Sequence, residues 1–319
     1  MTIVPVKKIL LAIAGTVVLV AAAVAYTVSA RPDTAEAVPA AKLTLGPGQL
    51  LYRNVSTGRI AAVPLNDPEA KPEVSGLKCD RFAVAKQTAV CLAVEPGTLP
   101  AVTDVLVLDE YLHVRHTESV SGTPSRARVS PDGTLVYWTV FVTGDSYAAT
   151  GFSTRAGIYE VGTGALVKTV EELAVQVDGS PYTAPDVNYW GLTFAADGNR
   201  FYATLGTQGK TYLIEGDYAK YRGKALRENV ECPSLSPDGT RIAFKKKVSN
   251  GVWRLSVLDL ATMRETPLAE TRSMDDQALW QDDHTVLYGL GNAVWAVPAD
   301  GSGAPKKLVD DAASPAVTG

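Results

Sequence analysis

The sequence has few of the residues that mark catalytic or metal-binding proteins. Among 319 residues it has three histidines, three cysteines and three methionines. It contains no Gly-x-Ser-x-Gly string, the turn that exposes the serine of α/β-hydrolases. His113 and His116 are three residues apart, a spacing that points them to opposite faces of a strand. The sequence therefore predicts neither a serine hydrolase nor a histidine metal site, and we expect no cofactor.

A strong charge of either sign is also absent. The formal net charge is -4 and the pI is near 5.5, whereas nucleic-acid-binding domains carry a basic face. The one lysine run, at residues 245–247, falls in or just after a predicted strand, where lysines typically solvate a sheet edge. Nucleic acid is therefore not expected as a partner.

One long hydrophobic run is present, at the N-terminus. Lys7 and Lys8 precede the uncharged residues 9–28, which at about 1.5 Å per residue span a bilayer core of about 30 Å. The positive flank places the remaining chain outside the cytoplasm. An uncleaved anchor is favoured because cleaved signals have apolar cores of about 7–15 residues, and cleavage near Ala30 is the alternative. We expect residues 1–30 to be this anchor or signal peptide and residues 31–44 a linker.

Export makes the cysteines interpretable, because disulfides form in oxidising compartments. Cys79 and Cys91 lie on what read as neighbouring strands, and we expect them to form a disulfide, with Cys232 left as a buried thiol. If the intervening turn lies at residues 85–88, Cys79 falls about three residues out of register with Cys91. That separation exceeds disulfide reach unless the start of the strand bends.

The strongest sequence signal is a repeated turn. Residues 236–244 read Ser-Pro-Asp-Gly-Thr-Arg-Ile-Ala-Phe, and residues 130–137 read Ser-Pro-Asp-Gly-Thr-Leu-Val-Tyr. Proline sets the second turn position, aspartate bonds to the following backbone, and glycine accepts a positive φ. Each copy therefore predicts a β-hairpin, and looser copies occur at residues 194–202 and 280–288.

A second repeated unit, an apolar strand followed by a short polar turn, sets the period. Its six copies are anchored at Val63, Val107, Val161, Ile214, Val257 and Val297. The steps between anchors are 44, 54, 53, 43 and 40 residues, which is typical of four-stranded propeller blades. The sequence predicts an all-β, six-bladed β-propeller of antiparallel blades over residues 45–319. Seven blades is the alternative if residues 42–49 belong to a further blade.

The strand pattern also predicts how the ring closes. Blade one has only three candidate strands, and residues 314–317 resemble the starts of the other inner strands. We therefore expect the C-terminal strand to complete blade one, since closure removes an exposed sheet edge. The inner strands of blades two to six are predicted to begin at or near Leu77, Arg126, Trp190, Pro233 and Gln277, and blade three carries a long loop at residues 143–156.

The Ser-Pro-Asp-Gly stretches at residues 130–137 and 236–244 resemble the TolB-like, WD-type β-propeller repeats. The resemblance covers residues 45–319 as a repeat pattern, with Ala196 and Asp282 in place of proline in the looser turns. The wider chain is also similar to exported propeller proteins of actinobacteria. The resemblance implies an extracytoplasmic propeller that binds protein partners, but a fold does not specify a ligand.

The candidate partner-binding residues lie at the loops that lead into the inner strands, at the end of the ring opposite the Pro-Asp-Gly turns. Aromatic and arginine side chains are enriched at the centres of protein interfaces. The set is Arg126, Arg128, Tyr147, Asp186, Asn188, Tyr189, Trp190, Glu228, Asn229, Asp275 and Asp276. We expect a protein or cell-envelope partner there, and a purely core role for Trp190 is the alternative.

A metal-dependent hydrolase is the second function class. Gluconolactonase-like six-bladed enzymes are similar in architecture and hold a metal in the central channel with acidic and amide side chains. The loops named above offer Asp186, Asn188, Glu228, Asn229, Glu231, Asp275 and Asp276. Such an enzyme needs several of these groups to converge in the channel, whereas a binding protein does not.

Overall fold

The Ser-Pro-Asp-Gly turns are tight reversals in the computed structural model, which describes residues 43–142 and 153–319. In the first turn, Gly133 N–H donates to the Ser130 carbonyl over 2.8 Å, and Gly133 has a φ of +80°. Asp132 Oδ1 accepts hydrogen bonds from the Ser130 hydroxyl and from Thr134 N–H. The turn at residues 236–239 repeats these bonds. The motif therefore folds as its residue types predict.

The described residues form six sheets. Their strands, in chain order, are β1 (Gln49–Asn54), β2 (Arg59–Pro64), β3 (Glu73–Lys78), β4 (Arg81–Ala85), β5 (Thr88–Val94), β6 (Val102–Leu108), β7 (Val114–Ser121), β8 (Thr123–Val129), β9 (Leu135–Val142), β10 (Ser153–Glu160), β11 (Leu166–Val167), β12 (Ala174–Val177), β13 (Ser180–Tyr182), β14 (Asn188–Phe194), β15 (Arg200–Thr207), β16 (Lys210–Asp217), β17 (Arg222–Glu228), β18 (Glu231–Leu235), β19 (Arg241–Ser249), β20 (Val252–Asp259), β21 (Glu265–Pro267), β22 (Leu279–Trp280), β23 (Thr285–Gly289), β24 (Ala293–Pro298), β25 (Lys306–Asp310) and β26 (Ala312–Val317).

The C-terminal strand completes blade one, which has the strand order β26-β1-β2-β3. Leu50 lies opposite Val317, and Leu51 lies opposite Ala316. The inner strands β26, β4, β8, β14, β18 and β22 contact one another in this order, and β23 and β24 of blade six contact β26 of blade one. The predicted six-bladed, all-β propeller is therefore confirmed. Residues 43–48 form no strand, so the seven-bladed alternative is wrong.

Two blades differ from the sequence prediction, one in where it begins and one in how many strands it has. Blade two begins at Arg81 instead of Leu77, because residues 77 and 78 belong to β3, where Lys78 lies opposite Arg59. The apolar run that begins at Leu77 was predicted to be one strand, but it contains the end of β3 and the whole of β4, with a bend between them at residues 79–80. Blade four is larger than its repeat predicts, because β12 adds in parallel to its outer strand β17 and carries β13 beside it.

Within residues 43–142 and 153–319, no helix is long and apolar enough to cross a membrane. The predicted anchor at residues 1–30 lies outside the described residues. The same is true of most of the predicted linker and of loop residues 143–152.

Cys79 and Cys91 form a disulfide, with their Cα atoms 5.4 Å apart. In the β4–β5 ladder Cys91 lies opposite Phe82, so Cys79 is three positions out of register. The chain bends before β4, and Asp80 N–H donates to the Leu92 carbonyl over 2.7 Å. This bend brings Cys79 within disulfide reach. Cys232 is buried and free.

We expect the variant with both Cys79→Ser and Cys91→Ser to lose about 3 kcal/mol of unfolding free energy, because a crosslink over a loop of this length restricts the unfolded chain. Urea unfolding measures the change. Alkylation of the denatured, unreduced protein should modify one cysteine, Cys232, and prior reduction should expose all three. Modification of all three before reduction, in protein made in an oxidising compartment, would contradict the pairing.

Candidate functional site

Charged side chains from four blades meet in the central channel. Arg81 begins β4, Arg126 and Arg128 lie on β8, Lys245 lies on β19, and Asp275 and Asp276 precede β22. Glu231 begins β18. Ion pairs join most of these side chains across the ring, and Arg81, Arg126, Arg128 and Asp276 line the channel cavity. These seven residues, Arg81, Arg126, Arg128, Glu231, Lys245, Asp275 and Asp276, are called the channel charge network below.

Asp276 lies at the centre of the network. Its Oδ2 is 3.2 Å from Arg81 Nη1, and its Oδ1 is 3.6 Å from Arg126 Nη1. The Arg126 side chain is only 9% exposed. Burial alone raises the pKa of Asp276, but the charges of Arg81 and Arg126 outweigh burial and hold that pKa below its ordinary value. Asp276 is therefore ionised at neutral pH and compensates a buried arginine.

Lys245 connects the network to blade five. It pairs with Asp275, and its Nζ is 3.7 Å from Glu231 Oε2. Glu231 is buried and accepts a hydrogen bond from Trp253 Nε1 over 3.0 Å. The Lys245 side chain is 5% exposed. The prediction that the lysine run solvates a sheet edge is therefore wrong at Lys245, whose strand position turns it inward.

Arg128 differs from the other cations of the network. Its Nη2 donates to the Ala278 carbonyl over 2.9 Å and to Ser234 Oγ over 3.4 Å. Its Nε is buried with no hydrogen-bond partner, and no carboxylate of the described residues lies within 4.0 Å of its guanidinium. Burial lowers the pKa of Arg128 to about 10. The described chain therefore gives this cation no carboxylate in direct contact, and the charge of Asp276 acts on it only at longer range.

A cavity of about 470 Å³ runs along the channel. Arg126, Arg128 and Asp276 line its inner part, and the turns at Pro131 and Pro237 line its mouth. Gln277 Nε2 donates to the Pro233 carbonyl over 3.0 Å and joins two blades at this level. The cavity therefore extends to the face that bears the Pro-Asp-Gly turns. Arg128 was predicted on the opposite, loop-bearing face, and the structure places it in this cavity.

Three predicted site residues hold the fold together. Asp186 accepts hydrogen bonds from the Thr207 hydroxyl and Gln208 N–H, which fixes the β15–β16 turn. Asn188 is buried, and its Oδ1 accepts from Thr154 N–H over 2.7 Å. Tyr189 is fully buried in the hydrophobic cluster between blades three and four. None of these three positions was distinguishable from a binding residue by sequence.

Glu228 and Asn229 lie at the rim of the loop-bearing face. Glu228 pairs with Lys210 over 2.8 Å, and the Asn229 amide bonds both backbone groups of Lys247. These residues line a recess of about 440 Å³ between blades four and five. The Trp190 ring is half-buried and lies over Gly206, where a Cβ atom would fall 2.4 Å from it. Tyr147 lies outside the described residues.

Sequence reasoning missed Glu171, which ties blade three to blade four. It lies in a 3-10 turn at Val170–Glu172 and accepts hydrogen bonds from Ala156 N–H and the Thr154 hydroxyl. Burial raises the pKa of Glu171 to about 7, even though these donors oppose the shift. The one signal for Glu171 in the sequence was that it belongs to an isolated acidic pair at residues 171–172.

Because the folded pKa of Glu171 exceeds the ordinary glutamate value of about 4.3, the folded state holds an extra proton between about pH 4.5 and 7. The free energy of unfolding should therefore fall as the pH rises through this window. Between pH 5 and 8, the free energy of unfolding should therefore fall by about 1–3 kcal/mol less in Glu171→Gln than in the wild type. Urea unfolding across this pH range measures it, with the exposed neighbour Glu172→Gln as the matched control. Equal slopes in wild type and Glu171→Gln would contradict the assignment.

Within the described ranges, no group of three or more His, Cys, Asp or Glu side chains is arranged to hold a metal ion. The candidate ligands are dispersed. Asp186 and Asn188 bond to nearby chain, Glu228 and Asn229 lie at the rim, and Asp276 is held by arginines. The carboxylates of the channel therefore neutralise the protein's own cations.

No protein-family model and no curated protein matches this sequence. Solved structures match the fold. TolB from Acinetobacter baumannii is 17% identical with a TM-score of 0.61, over 86% of this chain and 68% of TolB. A chain of a nidogen–laminin complex has a TM-score of 0.53 at 13% identity, over 79% of this chain and 89% of that chain. A puromycin-hydrolysing peptidase of Mycobacterium tuberculosis has a TM-score of 0.52 at 16% identity, over 84% of this chain but 44% of the peptidase.

These likenesses define the class as a six-bladed propeller with the TolB-like fold. One of these similar structures is a chain from a protein–protein complex, and another is an enzyme. Since one fold supports unrelated activities, function is argued from this chain's own residues.

Proposed function

We propose that the protein is an extracytoplasmic propeller that acts by binding a protein or cell-envelope partner through its loop-bearing face. One observation carries the proposal. Asp275, Asp276 and Glu231, the carboxylates nearest the channel, each lie within 4.0 Å of an arginine or lysine of the described chain. A cation at these carboxylates would have to displace those ion pairs, which disfavours the metal-dependent hydrolase.

The rim of the loop-bearing face supplies a surface for the partner. The recess between blades four and five is lined by Glu228 and Asn229, together with Lys210 and Lys247. Its charges are exposed and mixed in sign, and such groups steer association and select partners. Trp190, near the start of β14 in blade four, adds a half-buried aromatic, and Asp275, before β22 in blade six, adds an exposed carboxylate. We propose this combination as the partner-binding surface.

A location outside the cytoplasm agrees with two features. The disulfide between Cys79 and Cys91 requires an oxidising compartment to persist. The apolar residues 9–28, with Lys7 and Lys8 before them, have the length and flank of an anchor that exports the chain on its C-terminal side. We propose that this segment holds the propeller at the outer side of the membrane.

Crosslinking in intact cells followed by affinity recovery tests the proposal. We expect a specific partner with the wild type and its loss with Glu228→Lys, which reverses the charge of the recess. The Glu228–Lys210 pair is exposed, so its removal should cost less than about 1 kcal/mol of stability. Glu73→Lys, an exposed change on the outer strand of blade one, is the matched control and should retain the partner.

Two results would overturn the proposal. One is a partner set that is the same for the wild type and Glu228→Lys. The other is lactone hydrolysis by the purified protein that is lost on removal of divalent cations and restored when they are added back.

A further inference from the structure

We infer that the central channel is a binding site for a singly charged carboxylate, held by Arg128 and reached from the face that bears the Pro-Asp-Gly turns. This site goes beyond the proposed function, because the recess at Glu228 and Asn229 lies on the opposite, loop-bearing face.

Arg128 has unused hydrogen-bonding capacity. Its bonds to the described residues come from Nη2, to the Ala278 carbonyl and Ser234 Oγ, both of which are neutral acceptors. Its Nε has no partner, and the Nη1 group makes no hydrogen bond within residues 43–142 and 153–319. A guanidinium has five N–H donors in a planar fork that matches a carboxylate. An incoming carboxylate on Nη1 would therefore give Arg128 the direct ionic partner that it lacks among the described residues.

The charge of the site selects a single negative charge. The channel charge network holds four cations, Arg81, Arg126, Arg128 and Lys245, against the three carboxylates Glu231, Asp275 and Asp276. One positive charge remains in the network, and Arg128 is its one cation with no carboxylate of the described residues in direct contact. The pairs at the cavity mouth, Asp197–Arg200 and Asp238–Arg241, are each neutral. One carboxylate balances the surplus charge of the network, whereas a doubly charged anion would leave one negative charge uncompensated near Asp276.

The cavity gives such a group a way in. Its mouth lies between the turns at Pro131 and Pro237, and Arg128 lines its wall below them. A volume of about 470 Å³ admits a small organic acid or an extended peptide end. The Trp280 side chain lines the same cavity and is covered by Arg241, 5.2 Å from its ring centroid. The carboxylate belongs either to a free acid or to a peptide, and the two sources have the same chemistry at Arg128.

Calorimetric titration of the purified full-length protein tests the inference at constant ionic strength with chloride as the reference anion. The probes are acetate, N-acetyl-triglycine as the free acid, the same peptide as its amide, and phosphate. We expect acetate and the peptide acid to bind at one site and the amide not to bind. Tighter binding of the peptide acid than of acetate would identify a peptide end as the source, and equal binding would identify a small acid.

Variants connect the binding to Arg128. Arg128→Gln should weaken acetate binding by about tenfold or more, because it removes a charge-assisted hydrogen bond. Arg128→Lys should retain part of the affinity, since it keeps the charge without the fork. The exposed Arg222→Gln should bind as the wild type does. Thermal unfolding of each variant checks that it is folded.

The inference fails if acetate shows no saturable binding, if Arg128→Gln binds acetate as the wild type does, or if phosphate binds more tightly than acetate. Because these tests use neither Glu228 nor a cellular partner, their outcome is independent of the partner recovery proposed above.

Discussion

Deletion of residues 312–319 should abolish the folded state. This segment contains β26, which pairs with β1 and covers Leu50 and Leu51. Ala312 belongs to the hydrophobic cluster shared with blade six, and Ala316 to the cluster shared with blade two. Without the strand, β1 exposes a row of unpaired backbone groups, and two clusters lose part of their cover. The loss should exceed the total stability of an ordinary domain, about 5–15 kcal/mol.

Near-ultraviolet circular dichroism and size-exclusion chromatography measure this effect. We expect the shortened chain to lose its aromatic signal and to aggregate through the open edge. Removal of the exposed Gly319 alone is the matched control and should leave the melting temperature unchanged. A monomeric shortened protein with cooperative unfolding near the wild-type temperature would contradict closure by the tail.

Asp276→Asn should have the second largest effect, a loss of about 3–5 kcal/mol of unfolding free energy. The change preserves shape but removes the charge that compensates Arg126 and Arg81. Arg126 is buried, so its charge would be left with only Asp275, at 3.9 Å. Urea unfolding measures the loss. Asp310→Asn is the matched control, because the Asp310 side chain is 73% exposed and its pair with Lys307 should contribute at most about 1 kcal/mol.

The pH dependence of Asp276→Asn follows from the lowered pKa of Asp276. A carboxyl with a folded pKa below its unfolded value stabilises the protein fully above the unfolded value, about 3.9. That contribution is lost as the pH falls through the folded pKa. The gap in unfolding free energy between wild type and Asp276→Asn should therefore shrink below about pH 4. A loss that is small at pH 7, or the same at pH 7 and pH 3, would show that Asp276 does not hold the network.

The architecture was predictable because its signals are local and repeated. Ser130, Asp132 and Gly133 form a turn from their own side chains and backbone, so the motif predicts the same hairpin wherever it occurs. The closing strand was predictable because residues 314–317 resemble the other inner strands. The register of β26 on β1 was not predictable from alternation, because it shifts at a bulge between Leu51 and Arg53. Ala316 therefore packs in the cluster shared with blade two and Ala312 in the cluster shared with blade six.

The candidate site was only partly predictable, because it depends on contacts between distant parts of the chain. Arg126 and Asp276 are 150 residues apart in sequence, and nothing local marks them as a pair. Lys245 belongs to a run of three lysines that is typical of an exposed edge, yet its position in β19 turns it into the channel. Asn188 and Tyr189 lie where a binding loop was expected, but tertiary packing buries both. The sequence located the loops, and the structure decided which side chains remain accessible.

Hydrogen exchange of the backbone amides next to the closing strand tests ring closure, on which the channel, its charge network and the carboxylate site all depend. Val55 N–H donates to the Asp311 carbonyl over 2.8 Å, Gly48 N–H donates to the Thr318 carbonyl over 2.9 Å, and Thr318 N–H donates to the Gln49 carbonyl over 3.1 Å. These three amides should exchange as slowly as those in the centre of β5, because they open only when the ring opens. Exchange of all three at the rate of an unstructured peptide, with β5 still protected, would show that the tail does not close the ring.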